Sequence, residues 1–386
     1  MDFRLTDEQN QIKKMVREFA LSEIKPHLPE WDEKQHFPVE VFKKAGELGL
    51  LGAIIPEEYG GAGLSYIDYV NIIEELGVVD SGFGLSVAAH NSLCSGHTYL
   101  AGSEAQRKKW LPKLTSGQWI GAWGLTEPNS GSDASGMSTI AVKDGNEWVI
   151  NGTKNFITNA TYADISVVLA VTDRNDRKHG ITAFAIEADR KGIRPGKKEN
   201  KLGMRVSDTA ELVLEDCRVP NDNILGKIGY GFVDSMKVLD GGRISIGALA
   251  VGIARGAYEA ARDYSKQRTA FGKPISDFQA IQFMLADMAT EIDASRLLCY
   301  RAATMKDAGE RVTQASAMAK LYASEVAVRA TEKGVQIFGG YGFIKDFPAE
   351  KYYRDVKLCT IGEGTSEIQR MVIARHILNE SQSSIR

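Results

Sequence analysis

Four short blocks of this 386-residue chain carry residue types that can do chemistry. The first is Ile-Gly-Glu-Gly-Thr-Ser-Glu-Ile-Gln at residues 361–369. Glu363 stands between two glycines just ahead of a helical pattern, so backbone can crowd close to whatever its carboxylate faces. The same letters also read as a plain helix start, because acidic residues suit a first helical turn and Ser366 with Gln369 spells a capping box. The second block, residues 124–136 (Gly-Leu-Thr-Glu-Pro-Asn-Ser-Gly-Ser-Asp-Ala-Ser-Gly), is dense in glycine and hydroxyls. It offers many N–H and O–H donors to an extended polar ligand, or else is a surface turn. The third, Arg-Thr-Ala-Phe-Gly-Lys-Pro at 268–274, could hold a phosphate or be an exposed basic turn. The fourth, Gln-Ile-Phe-Gly-Gly-Tyr-Gly at 336–342, is a helix end broken by glycines, with a C-cap as its bland reading.

Other chemistries are excluded. No GxGxxG follows a strand, and GxxxxGK[ST], HExxH and GxSxG are all absent. The four cysteines, Cys94, Cys217, Cys299 and Cys359, are too scattered for a zinc or thioredoxin site and fit a reducing compartment. No metal site is expected. With 47 basic against 50 acidic residues, the net charge of −3 gives no footprint for nucleic acid or an acidic membrane. The N-terminus lacks the apolar core of a signal peptide. The uncharged stretch 81–103 contains His90, Asn91 and His97, which marks it as a buried helix and not a membrane span.

The elements that must position these blocks fall into three parts. Residues 1–120 read helical, opening with a Thr6/Gln9 capping box and an apolar face at Ile12, Met15, Val16 and Phe19. Helices are expected at 39–49, 66–77, 82–100 and 104–116. Residues 121–232 read as an antiparallel β domain, with a hairpin expected at Asn151-Gly152 and strands at 165–172, 181–187 and 210–219. Residues 233–386 return to the helical period, with long helices at 233–266, 278–306, 313–338 and 363–379.

Taken together, the four blocks resemble the acyl-CoA dehydrogenase flavoproteins, over nearly the whole chain and in the same order. Two signatures carry the likeness: residues 124–136, and Gln336 through Gly339, Gly340, Gly342, Asp346 and Lys351 to Asp355. The resemblance implies an α+β fold of an N-terminal helical domain, a middle β domain and a C-terminal four-helix bundle, holding FAD. It implies Glu363 as catalytic base. Trp123, Leu125 and Thr126 correspond to positions beside the flavin ring, and Phe156, Ile157 and Thr158 to the β-domain contact with it. Ser132 corresponds to a serine touching both FAD and the substrate's CoA portion. Arg268, Phe271 and Gln279 fall on the diphosphate and adenosine side, although Gln279 with Ser276 also spells a capping box. Gln336, Gly339 and Gly340 would hold the FAD of a neighbouring subunit, and Thr365, Ser366 and Glu367 continue the flavin contacts. Asp240 and Arg243, with Gly364, would meet the substrate.

The implied chemistry suits these residue types. A carboxylate in a closed apolar site can take an α-proton from an acyl thioester once its pKa is raised, while flavin takes the β hydride. The enolate-like charge needs donors at the thioester oxygen. The resemblance further implies fatty acid β-oxidation, an electron-transfer flavoprotein as acceptor, a homotetramer built as a dimer of dimers, and the cytoplasm or the mitochondrial matrix. Gly362 replaces the Tyr of many short- and medium-chain members and leaves width for branching. The helix from Val87 to His97 corresponds to the one lining the acyl pocket and carries no arginine that would greet a dicarboxylic acid. The residues Asp-Gly-Gly-Arg at 240–243 are most similar to butyryl-CoA dehydrogenases, so a short straight or branched acyl-CoA is expected. The competing readings are an oxidase-like enzyme using O₂ and a non-catalytic acyl-CoA binder.

Overall fold

The computed structural model describes residues 4–176 and 179–379. Seven helices come first: α1 (Asp7–Phe19), α2 (Leu28–Lys34), α3 (Val39–Glu47), α4 (Tyr66–Val79), α5 (Ser81–Ala88), α6 (Gly96–Ala101) and α7 (Glu104–Thr115). Local chemistry starts several of them. The Thr6 hydroxyl accepts from Gln9 N–H in the expected capping box, and Ser65/Asp68 and Ser103/Gln106 repeat the device at α4 and α7. The uncharged stretch forms α5, a π-helical segment Ala89–Ser95 and α6, buried as far as Thr98 and exposed at Tyr99 and Leu100. Among the described residues no helix is long and apolar enough to cross a membrane.

The middle strands are β1 (Gly121–Gly124), β2 (Ile140–Asp144), β3 (Glu147–Thr158), β4 (Ile165–Val171), β5 (Ile181–Glu187), β6 (Ile193–Lys198), β7 (Thr209–Pro220) and β8 (Ile224–Leu225). They form one sheet in the order β6-β7-β3-β2-β4-β5-β8, with β1 beside β4. The ladders are antiparallel except for β1 on β4 and a single β2–β4 bridge, which are parallel. The hairpin expected at Asn151-Gly152 is not formed. β3 runs through it, and the ladder to β7 slips between Ile150 and Gly152, where a Cβ would collide with Thr139. The turn lies earlier, between the paired Asp144 and Glu147, with Gly145 at φ 61°.

The last third holds α8 (Gly231–Gln267), the short pair β9 (Thr269–Ala270) and β10 (Lys273–Pro274), then α9 (Gln279–Asp307), α10 (Thr313–Phe338), α11 (Ala349–Asp355) and α12 (Ser366–Asn379). α10 packs on α8, α9 and α12. The capping box expected at Ser276/Gln279 is absent. Ser276 lies in a 3-10 turn, α9 starts at Gln279 behind Phe278, and no side chain caps it.

One apolar core joins the two helical regions, from Val16, Phe42, Ile72 and Phe83 to Ile244, Leu249, Ala319 and Val356. A second packs one sheet face (Val167, Leu169, Ala183) on Leu93, Trp110, Leu111 and Leu239. A third, around Trp148, Ile150, Phe184 and Leu212, lies within the sheet domain.

Buried charge ties the three parts together. Lys351 on α11 reaches Asp80 and Asp355, both at 2.6 Å. Asp355 also accepts from Ser81 Oγ at 2.7 Å and from Met204 N–H at 2.6 Å, on the segment leading to β7. Asp80 meanwhile caps α5 by accepting from Phe83 N–H at 2.7 Å. Burial and the neighbouring Asp355 raise the Asp80 carboxyl, while the two aspartates hold the Lys351 ammonium charged despite its burial. Lys351→Met strands two buried carboxylates without a cation. Denaturant unfolding should show a loss of about 3–5 kcal/mol.

Candidate functional site

Glu363 sits in a turn that most residues avoid. It has φ 53° and Gly364 has φ 93°, so two consecutive residues are left-handed. Buried donors hold the turn. Gln369 Nε2 donates to Glu363 O at 3.3 Å and Gly364 O at 2.9 Å, and Lys320 Nζ on α10 donates to Gly364 O at 2.7 Å. This corrects the expected cap. Gln369 folds back on these carbonyls, the Thr365 hydroxyl accepts from Ile368 N–H at 3.3 Å, and Ser366 Oγ is buried without a partner. The helix therefore begins at Ser366, not at 363.

The turn lays the Glu363 carboxyl on Gly242 of α8, where any Cβ would strike it. Part of the residue reaches solvent, but its Oε2 is buried with no hydrogen-bond partner. Burial pushes its pKa up to about 7, against the opposing pull of Lys320 and Arg243. Arg243 is buried. Its guanidinium donates to Asp240 at 2.8 Å, and Asp240 also accepts from Thr313 Oγ1 at 2.6 Å. The side chain expected at the CoA end of a substrate is thus turned to Asp240 and Glu363 instead of to solvent.

A second group gathers at the sheet edge. Trp123 on β1 donates Nε1–H to His97 Nδ1 at 3.0 Å. Asn155 N–H donates to Thr126 O at 2.8 Å, which brings the 124–136 block against residues 156–158. There β3 is irregular again, and Phe156 is left-handed (φ 58°) and exposed. Leu125 and Ile157 are buried, Thr158 is half-buried, and Ser132 is exposed on the loop. Buried Glu127 pins that loop. It accepts from Lys154 Nζ at 2.7 Å, Ser138 N–H at 2.6 Å and Thr139 N–H at 2.9 Å. Burial works against its charge, but Lys154 and these donors hold the carboxyl down to about 2. His90 and His97 are both core residues, and burial drops each to about 4. His90 accepts from Gly121 N–H and so carries its proton on Nε2, toward Leu114 O.

The third group lies on the C-terminal helices. Arg268, Phe338, Gly339, Gly340, Tyr264 and Ile344 line a cavity of about 420 Å³. Arg268 lies 5.6 Å over the Tyr341 ring. Gln279 and Gln336 are exposed nearby in sequence, and Phe271 stands almost fully in solvent, in contact with Phe278.

Lys320, Gln369 in its folded-back role, and Lys154 were not identified as site residues in the sequence. For Lys320 a signal exists. It falls among Ser316, Ala317, Ala323, Ser324 and Ala327 on the buried face of α10, where a lysine has no packing reason to be. Lys351 and Asp355, part of a matched signature, prove to tie the three parts of the chain.

The family models for the acyl-CoA dehydrogenase N-terminal, middle and C-terminal domains match residues 6–118, 122–217 and 229–378. The short-chain specific acyl-CoA dehydrogenase of Clostridium acetobutylicum is 49% identical over 98% of this chain and 100% of its own. Butyryl-CoA dehydrogenase from Megasphaera elsdenii superposes with a TM-score of 0.96 at 45% identity, covering 98% of this chain and 100% of its own. A chain from a structure described as the electron transferring flavoprotein of Acidaminococcus fermentans superposes at 0.97, with 48% identity and the same coverage. The chain belongs to the acyl-CoA dehydrogenase family, whose members are flavin-dependent oxidoreductases.

Proposed function

We propose that this chain oxidises a short straight or branched acyl-CoA to the trans-2-enoyl-CoA, with Glu363 as the base. The observation that carries this reading is the Glu363 carboxyl itself: buried and unpartnered at Oε2, laid on Gly242 and poised at about 7. A carboxylate costly to ionise is a strong base once ionised, and one near neutrality can both take and return a proton. Its own peptide N–H is the donor assigned to the thioester oxygen.

FAD fits the residues present. The irregular β3 end presents Phe156 outward beside Thr126 and Trp123, and the Arg268 cavity offers a cation and two glycines to a diphosphate. When bound, FAD accepts the hydride from the β carbon. The chain's residues hold ring and thioester in place and exclude water. The cavity is lined by C-terminal residues alone, and Phe271 is left exposed beside it. This supports a homotetramer in which Gln336, Gly339 and Gly340 complete a neighbour's cofactor site. The electrons pass to an electron-transfer flavoprotein, in the cytoplasm of a bacterium or in a mitochondrial matrix. Rapid peroxide formation with acyl-CoA and no other acceptor would instead favour the oxidase reading.

Glu363→Gln should keep bound FAD yet lower butyryl-CoA-driven bleaching of the flavin by about 10²–10⁴-fold or more in stopped flow. Bleaching at the wild-type rate would assign the base elsewhere. Because the carboxylate is the active form, the wild-type rate should rise with pH through the neutral range. About one unit below the Glu363 pKa, roughly a tenth of the limiting rate should remain.

The acyl selectivity rests on the buried segment from Val87 to Leu93 as pocket floor and on Gly362. Each methylene that fits is worth roughly 0.8 kcal/mol, so a few carbons give a sharp optimum. At Gly362 the nearest atoms to a Cβ belong to Leu358, at 3.5 Å, an ordinary contact, so a Cβ is tolerated there. A C4–C16 series should give the highest kcat/KM at four or five carbons, with isobutyryl- or isovaleryl-CoA also turned over. Gly362→Tyr should depress the branched substrates more than butyryl-CoA. An optimum at C8 or beyond would rule out this pocket floor.

A further inference from the structure

Lys320 is among the largest fully buried side chains in the protein. Among the described residues it forms no ion pair, and its one hydrogen bond runs from Nζ to the Gly364 carbonyl at 2.7 Å. An ammonium buried on a single neutral acceptor is costly. Satisfying that carbonyl does not require it, since Gln369 already donates there at 2.9 Å. Filling space does not require it either, since an apolar chain of equal length would pack among the alanines and serines around it. What remains is its charge, which sits on the residue next to Glu363 and acts on that carboxyl.

We propose that Lys320 is a positioning residue for the base: its ammonium, anchored on the Gly364 carbonyl, fixes the left-handed turn that aims the Glu363 carboxylate and is the uncompensated positive charge that steadies it. This rests on Glu363 being the base.

The groups around the pair support the assignment. On α8, Arg243 also acts on Glu363, but its guanidinium is engaged by Asp240 at 2.8 Å. On α4, burial raises the Tyr69 phenol so that it stays neutral. In the 3-10 turn ahead of the base, burial pushes the Cys359 thiol up to about 12, also neutral. On α12, Glu367 faces Lys320 from an exposed position. Lys320 is thus the cation near Glu363 with no carboxylate paired to it. Burial lowers its pKa to about 8, which leaves it charged where the base works.

The test separates charge from hydrogen bonding, using FAD-loaded enzyme and an acyl-CoA analogue with sulfur in place of the β methylene. Such a ligand loses its α proton to the base but cannot be oxidised, so the absorbance of the deprotonated complex reports the base against pH. K320Q keeps a donor for Gly364 O and removes the charge. K320M removes both. K320Q should move the midpoint of deprotonation up by about one unit, leaving about tenfold less deprotonated complex on the acid side. K320M should do the same and also lower the limiting rate of flavin reduction by butyryl-CoA at high pH. Q369M, which removes the uncharged donor, should lower that rate without moving the midpoint. FAD content and thermal unfolding show which variants fold, and K320Q and K320M each read the charge independently. Wild-type midpoints in the lysine variants would overturn the proposal. E363Q distinguishes the two readings: if it still deprotonates the ligand, the base assignment itself fails. If it does not, and the lysine variants keep the wild-type midpoint, only the role of Lys320 fails.

Discussion

The site depends on one unfavourable act, the burial of the Glu363 carboxyl. In water a glutamate carboxylate is a weak base. Burial raises it, and burial alone would raise it too far. The chain tempers this by laying the carboxyl on a bare stretch of α8 at Gly242, where the charges of Lys320 and Arg243 pull against the effect of burial. The left-handed backbone at Glu363 and Gly364 follows from that placement. So does the pair of buried donors that keeps the turn from relaxing.

The rest of the fold brings distant segments to this point. α8 contributes the floor under Glu363 and packs on both α4 and α10. The sheet presents the 124–136 loop on the same side as the irregular end of β3, and Glu127 keeps that loop from moving independently. Trp123 and His97 link the first strand to the helix ahead of it, so sheet and helices share a border through side chains as well as through packing.

Much of this architecture can be read from local pattern, because periodicity and capping are local. The long helices fall close to their expected bounds and the Thr6/Gln9 box forms as spelled. Errors arise where one set of letters serves two geometries. Asn151-Gly152 could turn a hairpin or absorb a bulge, and only the pairing of β3 with β7 decides. Ser276 and Gln279 could cap a helix, but the turn after Pro274 withholds the serine. Ser366 and Gln369 could cap each other, but the glutamine is drawn to the carbonyls of the base turn. Glu363 is legible through its flanking glycines and the family signature. Its basicity is not, because Gly242, Lys320 and Arg243 lie far away in sequence. The same holds for Lys351 and Asp355, whose letters match a signature without disclosing that they tie three parts of the chain together.

The shared helical core has a consequence for how the protein is made. α5 is buried along its whole length and α4 from Tyr69 onward, and much of what covers them belongs to α8. Glu74 and Glu75 of α4 point into that contact, where Glu74 meets Arg255 at 2.7 Å and Arg296 at 2.9 Å. On the ribosome these helices emerge well before either arginine exists. During that interval the unpaired Glu74 carboxylate keeps this largely apolar nascent segment hydrated and disfavours its premature collapse onto the wrong partner. Glu75 can pair early with Arg17 of α1, at 2.6 Å, but Glu74 becomes part of the interior only when the arginines of α8 and α9 arrive. The first third of the chain is thus encoded as a recognisable unit but matures as half of a joint structure, completed after the middle sheet has been synthesised.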